Sequence, residues 1–241
     1  LATSEPSDSS FSLGVIPESI QFVPDPTLEL KVPIRSYRSP RVADWVEEVL
    51  AGNAAKAFDL SLGLGNYPIH LTRSLSTMRA WLNERGRGER RFGLVASSEA
   101  RRLRGEGLGV SLNANDGDKI AHWYLNAKGD IRSSYSLEVT ANQFTCQGLE
   151  LDFVGLCWGG DMNHSPPDGW CFRRLSGNKW VTATGDSARF IKNSYRVLMT
   201  RAREGFIIWV PPGDQSDHTR DPEIFDLTVD YLLSCGAKQL G

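Results

Sequence analysis

The sequence predicts an α/β domain in which helices flank a mostly parallel sheet and a β-hairpin is inserted. Two observations lead to this fold class. Short apolar runs alternate with amphipathic stretches that start after serine and stop at glycine, a pattern typical of repeated β-α units. A polar segment at about residues 161–186 also contains two strand-like runs joined by Ser-Gly-Asn, which indicates a hairpin. The 241 residues are enough to enclose a sizeable core.

The chain begins with a segment that differs from the rest in composition. Residues 1–28 are rich in Ser and Pro and are predicted to be a linker arm, so that the folded domain spans residues 29–241. At its start, residues 28–34 alternate as a strand does, and a helix follows with Pro40 near its first turn. The glycine-punctuated residues 58–65 are predicted to link this helix to the next strand.

Two β-α units come next. The first has a strand at residues 67–72 and a helix at residues 75–85, with Ser74 as the N-cap of the helix. The second has a short buried strand at residues 91–96 and a short helix at residues 99–104. Successive units of this kind are expected to bring their strands together in parallel.

The remaining elements complete the sheet and the insertion. Strands are predicted at residues 119–124, 136–140 and 153–158, and hairpin strands at residues 170–175 and 179–184. The domain is expected to finish with a helix at residues 187–203, a strand at residues 206–210 and a helix at residues 222–235. Because Gly205 is a favoured helix-stop residue, Arg201 is expected in the last turn of the first of these helices.

Composition is that of an ordinary globular protein. Hydrophobic residues make up 40% of the chain, and the net charge of −2 does not single out a partner. Arginine accounts for 20 of the 27 basic residues, and its planar fork suits phosphate and carboxylate groups. The four cysteines show no CxxC spacing, which predicts reduced thiols in a cytoplasmic protein. No apolar run approaches membrane-spanning length, and the four histidines are too scattered to predict a metal site.

Two stretches contain most of the functional signal. The first, KNSYRVLMTRAREGFIIWVPP at residues 192–212, predicts a helix that ends in an arginine cluster before a buried strand. The second, QFTCQGLELD at residues 143–152, has a glycine and two acids just before another buried strand, so the backbone can approach a ligand closely. Each also has a purely structural explanation: arginines complement the dipole at a helix end, and acids solubilise a strand start.

Taken together, these stretches resemble motifs VI and V of superfamily 1 helicases, and LKVPIRS at residues 30–36 is similar to motif IV. Longer strings resemble the bacterial Schlafen-like DNA/RNA helicase family over roughly residues 28–236, namely IRSYRSPRVADWVEEVL, YPIHLTRSL, FGLVASSEARRLRGEG and IRSSYSLEVTANQFTCQGLELD. The resemblance implies a three-layer RecA-like domain. The order of the motifs implies that it is the second, C-terminal RecA-like domain of a helicase.

The resemblance also implies nucleotide contacts. Arg201 would be an arginine finger and Arg35 a second arginine on the same ATP phosphate, where charge develops during hydrolysis. Glu150 would meet the ribose. The other implied contacts are Gly148, which allows close approach, Gln147, which stands where the family often has Lys, and Arg203 and Arg38. For Arg203, an ion pair with a nearby acid is the alternative.

Nucleic-acid contacts are predicted in a separate set of residues. Serines and arginines at predicted strand ends and loops can donate to phosphates, and an exposed aromatic residue can face a base. The predicted set is Phe144, Ser97, Ser98, Arg101, Arg132, Ser133 and Ser134, of which Phe144 is implied by the resemblance to motif V. The arginine-rich stretch at residues 85–104 is either part of this surface or a solvated helix face.

An expected part of an ATPase is missing from the sequence. The chain has no GxxxxGK[ST] phosphate loop and no buried strand ending in Asp-Glu. We therefore expect an N-terminal RecA-like domain of the same polypeptide to bind ATP and Mg²⁺ in the full-length protein, whereas this chain alone is expected to bind neither and to hydrolyse no ATP. A start at Leu1 in a linker-like arm fits such a fragment.

The expected partners are DNA or RNA, most simply as a single strand, and no membrane. Two alternatives remain open. One is a non-catalytic nucleic-acid-binding module with a degenerate RecA-like fold. The other is a metal-dependent nuclease that uses Glu150 and Asp152.

Overall fold

The computed structural model describes residues 41–109 and 111–241, all of which belong to the compact unit Pro33–Gly241. The described α-helices are α1 (Arg41–Ala51), α2 (Ala54–Leu62), α3 (Leu75–Arg85), α4 (Gly117–Leu125), α5 (Gly185–Met199) and α6 (Pro222–Ser234). Two short 3₁₀ helices cover Arg101–Glu106 and Ser134–Ser136. The predicted arm and the predicted strand at residues 28–34 lie outside the described residues.

The described strands form two sheets. They are β1 (Ile69–Thr72), β2 (Phe92–Ala96), β3 (Thr140–Ala141), β4 (Leu151–Cys157), β5 (Met162–Ser165), β6 (Gly169–Ser176), β7 (Lys179–Thr182), β8 (Ala202–Trp209) and β9 (Lys238–Gln239). Six of them form a sheet in the order β3-β2-β4-β8-β1-β9, and each described pairing within it is parallel. The predicted α/β fold with a mostly parallel sheet is therefore confirmed.

Alternate side chains of the central strands supply two cores, one on each face of the sheet. In β8, Phe206 and Ile208 join the core that includes buried residues of α1, α5 and α6. Ile207 and Trp209 point to the opposite face and join the core built on α3. Because a strand alternates its side chains, a continuous apolar run such as residues 206–209 must be covered on both sides. The result is a three-layer arrangement of helix, sheet and helix.

The insertion is a small antiparallel sheet in the order β5-β6-β7, of which the β6–β7 hairpin was predicted and β5 was not. Trp170 of β6 attaches it to the domain. Its indole Nε1 donates to the carbonyl oxygen of Val49 at 2.8 Å, and its ring stacks on Trp158 with centroids 5.7 Å apart. The hairpin is thus held against the main domain by a partly buried aromatic contact.

The segment predicted as a strand at residues 119–124 is instead part of α4. Its residues Ile120, Trp123 and Tyr124 are spaced i, i+3 and i+4, which is the period of a helix. Trp123 is buried, and its Nε1 donates to the carbonyl oxygen of Val139 at 3.1 Å. The composition of this run favours a strand, but the tertiary contact is made by a helical face.

Three further predictions need correction. Most of the predicted link at residues 58–65 belongs to α2, whose start is rich in alanine, the best helix former. The short helix predicted at residues 99–104 is the 3₁₀ helix Arg101–Glu106. Of the strand predicted at residues 136–140, only Thr140–Ala141 pairs with a neighbour.

The helix predicted at residues 187–203 is α5, and it ends before Arg201. The hydroxyl of Thr200 donates back to the carbonyl oxygen of Arg196 at 2.8 Å and helps to close the last turn. Gly205 does not end the helix, because it lies inside β8, where a neighbouring segment packs too closely for a side chain. No described helix has the length and apolar composition to cross a lipid bilayer.

Candidate nucleotide and nucleic-acid sites

The two motif-bearing stretches meet at the amino ends of β4 and β8, which are neighbouring parallel strands in the sheet. Leu151 at the start of β4 is in register with Ala202 at the start of β8. The segments that precede these strands therefore lie side by side. Nη1 of Arg201 donates to the carbonyl oxygen of Leu149 at 3.1 Å, and this hydrogen bond joins the two stretches.

The Arg201 side chain is buried, with only 2% of its surface exposed. A buried guanidinium is stable only where polar groups replace its water shell, and the Leu149 carbonyl is one such group. In this conformation Arg201 contacts its own chain rather than solvent. Contact between Arg201 and an ATP phosphate stays a prediction, and it requires that the buried guanidinium become accessible.

Other predicted nucleotide contacts lie on the solvent side of the same edge. Gln147, Gly148 and Glu150 are exposed, and Nη1 of Arg203 lies 3.3 Å from Oε2 of Glu150, which makes the local ion pair considered as the alternative. Gly148 has a φ of +76°, and a β-carbon built on it would meet no described atom within 4 Å. Its backbone is therefore open to a ligand.

Arg35 and Arg38 lie outside the described residues, so only part of the predicted nucleotide set can be located. Asp152 has a structural contact: its Oδ2 accepts the backbone amide of Arg91 at 2.7 Å, which ties the start of β4 to the start of β2. Across residues 41–109 and 111–241 no group of three His, Cys, Asp or Glu side chains could hold a metal ion. Glu150 and Asp152 thus have protein partners in this conformation.

A groove of about 850 Å³ opens at the other edge of the sheet, at the carboxyl ends of β2 and β3. Four predicted nucleic-acid contacts line it: Ser97, Ser98, Arg101 and Phe144. Leu175 and Gly177 of the hairpin border the same groove, so the insertion contributes to its wall. The structure therefore brings together residues that are far apart in sequence on a concave, arginine-containing surface.

The polar groups of the groove are arranged by Gln143. Its Oε1 accepts the backbone amide of Ser98 at 3.1 Å, and its Nε2 donates to the Ser98 hydroxyl at 2.8 Å. Arg104 also lines the groove, is exposed, and forms no ion pair with any residue that the structure describes. The groove thus presents an unneutralised guanidinium beside a fixed pair of loops, which suits an anionic chain.

Residues 10–212 match the family described as Schlafen group 3, DNA/RNA helicase domain. The chain belongs to this family. A comparison with curated proteins finds no match. The Schlafen group 3 match includes both sheet edges, from the serines after β2 to Arg201 before β8. Membership supports a helicase-like, nucleotide-binding function for the domain.

Three predicted nucleic-acid contacts of this helicase domain lie away from the groove. Nη2 of Arg132 is 2.8 Å from Oδ2 of Asp130, beside a separate pocket of about 440 Å³ next to α4. Ser133 and Ser134 are buried, and the Ser133 hydroxyl donates to the carbonyl oxygen of Asn126 at 2.9 Å. The Ser133 hydroxyl therefore helps to hold a turn together in the described conformation.

Sequence reasoning missed two residues near the groove. Gln143 opens the QFTCQGLELD stretch, but nothing local indicates its contact with Ser98. Asp161 is buried, and its Oδ1 accepts the hydroxyl of Tyr195 at 2.9 Å. Burial raises the pKa of Asp161 to about 6, although the hydroxyls of Ser97 and Tyr195 lower it. The available signal was Gly-Gly-Asp directly after a buried strand, a position where side chains of a parallel sheet often act.

Proposed function

We propose that this chain is the C-terminal RecA-like half of an ATP-dependent DNA/RNA helicase or translocase of the superfamily 1 type. Residues 1–28 would be a linker, residues 29–241 the RecA-like domain, and about residues 161–186 its hairpin insertion. Because the chain has no phosphate loop, an N-terminal RecA-like domain of the same polypeptide would hold ATP and Mg²⁺.

The observation that supports this proposal is the course of the loop at residues 142–150. The loop leaves the carboxyl end of β3 at the groove and reaches the amino end of β4 at the opposite edge of the sheet. Phe144 borders the groove, and the carbonyl oxygen of Leu149 accepts from Arg201. A displacement of the loop at Leu149, where a nucleotide would bind, can therefore be transmitted over a few residues to Phe144, where nucleic acid would bind.

In this proposal Arg201 acts by exchanging hydrogen-bond acceptors. During phosphoryl transfer, a guanidinium stabilises the charge on the transferring group when it is supplied from a neighbouring domain. For Arg201 to make that contact, its buried guanidinium has to become accessible, and exchange of the Leu149 carbonyl for the phosphate would release the loop. Glu150 would contact the ribose, whereas Arg203 would be held by Glu150.

The test is ATP hydrolysis by the full-length protein. Arg201→Lys keeps a charge and a donor for the Leu149 carbonyl but not the planar fork, so it should fold and lose about a thousandfold or more in turnover while still binding nucleotide. Arg189→Lys, at an exposed position of α5, is the matched control and should leave turnover unchanged. Full turnover by the Arg201→Lys protein would contradict the role of Arg201 as the arginine finger. ATP hydrolysis by the purified 241-residue chain would contradict the prediction that a further RecA-like domain is needed to hold the nucleotide.

The burial of Arg201 favours a second candidate, a non-catalytic nucleic-acid-binding module with a degenerate RecA-like fold. The two candidates differ in the full-length protein. The module would bind single strands with a steep dependence on salt, and nucleic acid would not stimulate ATP hydrolysis. Hydrolysis that rises with added single strand and depends on Arg201 would exclude the module.

A further inference from the structure

An exposed pair of stacked phenylalanines lies at the border of the groove. Phe144 and Phe190 are 44% and 45% exposed, and their ring centroids are 5.8 Å apart with an interplanar angle of 28°. One ring comes from the loop between β3 and β4, and the other from α5. Neighbouring large apolar side chains that remain exposed to water commonly mark a binding surface.

The pair is held in place before any ligand arrives. The backbone amides of Phe144 and Thr145 both donate to Oδ1 of Asn142, at 3.0 and 3.1 Å, and Asn142 and Thr145 are themselves buried. Phe190 is part of α5, where the next residue, Ile191, is buried in the core. Since both backbones are already fixed, a ligand that covers these rings has little ordering cost to overcome.

The arginines of the groove indicate which kind of ligand the phenylalanine pair would bind. Phe144 lines the groove together with Arg101 and Arg104, and Arg104 has no ion-pair partner among the residues that the structure describes. Guanidinium groups next to an exposed aromatic face form the combination that binds a single strand, because phosphates pair with the former and bases stack on the latter. Bases inside a duplex are already stacked on one another and cannot use such a face.

We propose that Phe144 and Phe190 form a base-stacking platform that takes unpaired bases of a single strand whose phosphates run along Arg101 and Arg104. This inference rests on the proposed function in one respect only, that the groove binds nucleic acid. It goes further by assigning the stacking contact to two residues, one of them on a helix that carries no predicted nucleic-acid contact. Binding to the platform is expected to show no sequence specificity, because every base has an aromatic face.

The test measures binding of the 241-residue chain to two fluorescent oligonucleotides of equal length by anisotropy. One is oligo-dT, and the other is a fully abasic strand with the same phosphates. Phe144→Ala and Phe190→Ala should each weaken binding of oligo-dT by about 5- to 150-fold and leave binding of the abasic strand unchanged. Phe190→Tyr should keep most of the affinity for oligo-dT. Phe58→Ala, at a residue of α2 that is also 45% exposed, is the matched control and should change neither.

The outcomes separate the platform from the proposed function. If Arg104→Ala weakens binding of both strands but the two Phe→Ala variants bind like the parent, the platform is wrong and the groove still binds nucleic acid. Equal losses for oligo-dT and the abasic strand in a Phe→Ala variant would also overturn it, because that pattern indicates a damaged groove. If the parent chain binds neither strand, the proposed nucleic-acid function itself fails.

Discussion

Gly205 and Pro68 pack so closely that a β-carbon at position 205 would lie 2.4 Å from Cγ of the proline. The contact lies where β1 joins β8, and Phe206 donates its amide to the Pro68 carbonyl at 3.1 Å. Gly205 also has a φ of +155°, a backbone angle that residues with a side chain rarely adopt. Close packing against Pro68, rather than a helix end, therefore explains the glycine in this motif.

Gly205→Ala should lower the free energy of unfolding by about 1–3 kcal/mol through overpacking, with a further cost from the backbone angle. Urea denaturation measures it. Gly148→Ala is the comparison, since no described atom lies within 4 Å of a β-carbon there and only the left-handed backbone, at about 1–2 kcal/mol, opposes it. Wild-type stability for the Gly205 variant would mean that β1 and β8 are less tightly packed than described.

Arg201→Met should destabilise the domain even without nucleotide. The Leu149 carbonyl would lose the donor that now lies 3.1 Å away, at a cost of about 1.5–3 kcal/mol for a charged hydrogen bond. Arg203→Met breaks the partly exposed pair with Glu150, and the loss of that pair should cost about 1 kcal/mol or less. Chemical denaturation of both variants gives the comparison. Similar losses for the two would contradict the structural role of the buried guanidinium.

Arg220 should be the main electrostatic anchor of the groove wall. Its guanidinium contacts Glu106 at 2.8 Å, Asp214 at 2.7 Å and Asp217 at 3.0 Å, and it is largely buried. Arg220→Met should therefore cost about 1.5–3 kcal/mol in unfolding free energy, and it should also weaken oligonucleotide binding because Glu106 ends the 3₁₀ helix that carries Arg101.

The matched control for Arg220 is Arg189→Met. Arg189 forms a single exposed i,i+3 pair with Asp186 at 2.8 Å, and its loss should cost about 0.5 kcal/mol or less. Thermal or urea unfolding ranks the two variants. A cost for Arg220→Met no larger than that of the control would show that its three carboxylate contacts are not held in solution.

Some elements of the fold could be predicted because local and tertiary signals agree. Helix α3 has both a cap, with the Thr77 amide donating to the Ser74 hydroxyl at 3.1 Å, and a buried face. Helix α4 could not be predicted, since its aromatic run favours a strand and only the contact of Trp123 with Val139 decides for a helix. The two-residue β9 has no pattern of its own and exists through pairing with β1.

The candidate sites show the same limit. Motif spacing singled out the stretches around Glu150 and Arg201 as candidates, but it did not indicate that the arginine would be buried, because burial depends on tertiary contacts such as the hydrogen bond to the Leu149 carbonyl. The stacking of Phe144 on Phe190 joins a loop and a helix that are far apart in the chain, so no local pattern indicates it. The environment of Asp161 likewise depends on a distant residue, because the hydroxyl that donates to its carboxylate belongs to Tyr195 of α5.

Asp161 should make part of the stability pH-dependent. Burial raises its pKa from 3.8 to about 6 in the folded chain, so between these values the folded state binds more protons than the unfolded state. The free energy of unfolding therefore falls as the pH rises from about 4 to about 6 and is level above that, with a total loss on the order of 3 kcal/mol. Burial lowers the pKa of His70 and His164. Their contribution to the free energy of unfolding therefore rises with pH, in a range that overlaps that of Asp161.

Because these contributions overlap, the difference between the parent and Asp161→Asn isolates the carboxyl group. The amide oxygen of Asn can still accept the Tyr195 hydroxyl, which now lies 2.9 Å from Oδ1, and the histidine contributions cancel. Urea denaturation at a series of pH values should show the variant gaining stability relative to the parent between about pH 4 and 6, with a constant difference above pH 6. Parallel pH profiles for the two proteins would mean that Asp161 is already ionised, with water or a cation reaching its buried oxygen.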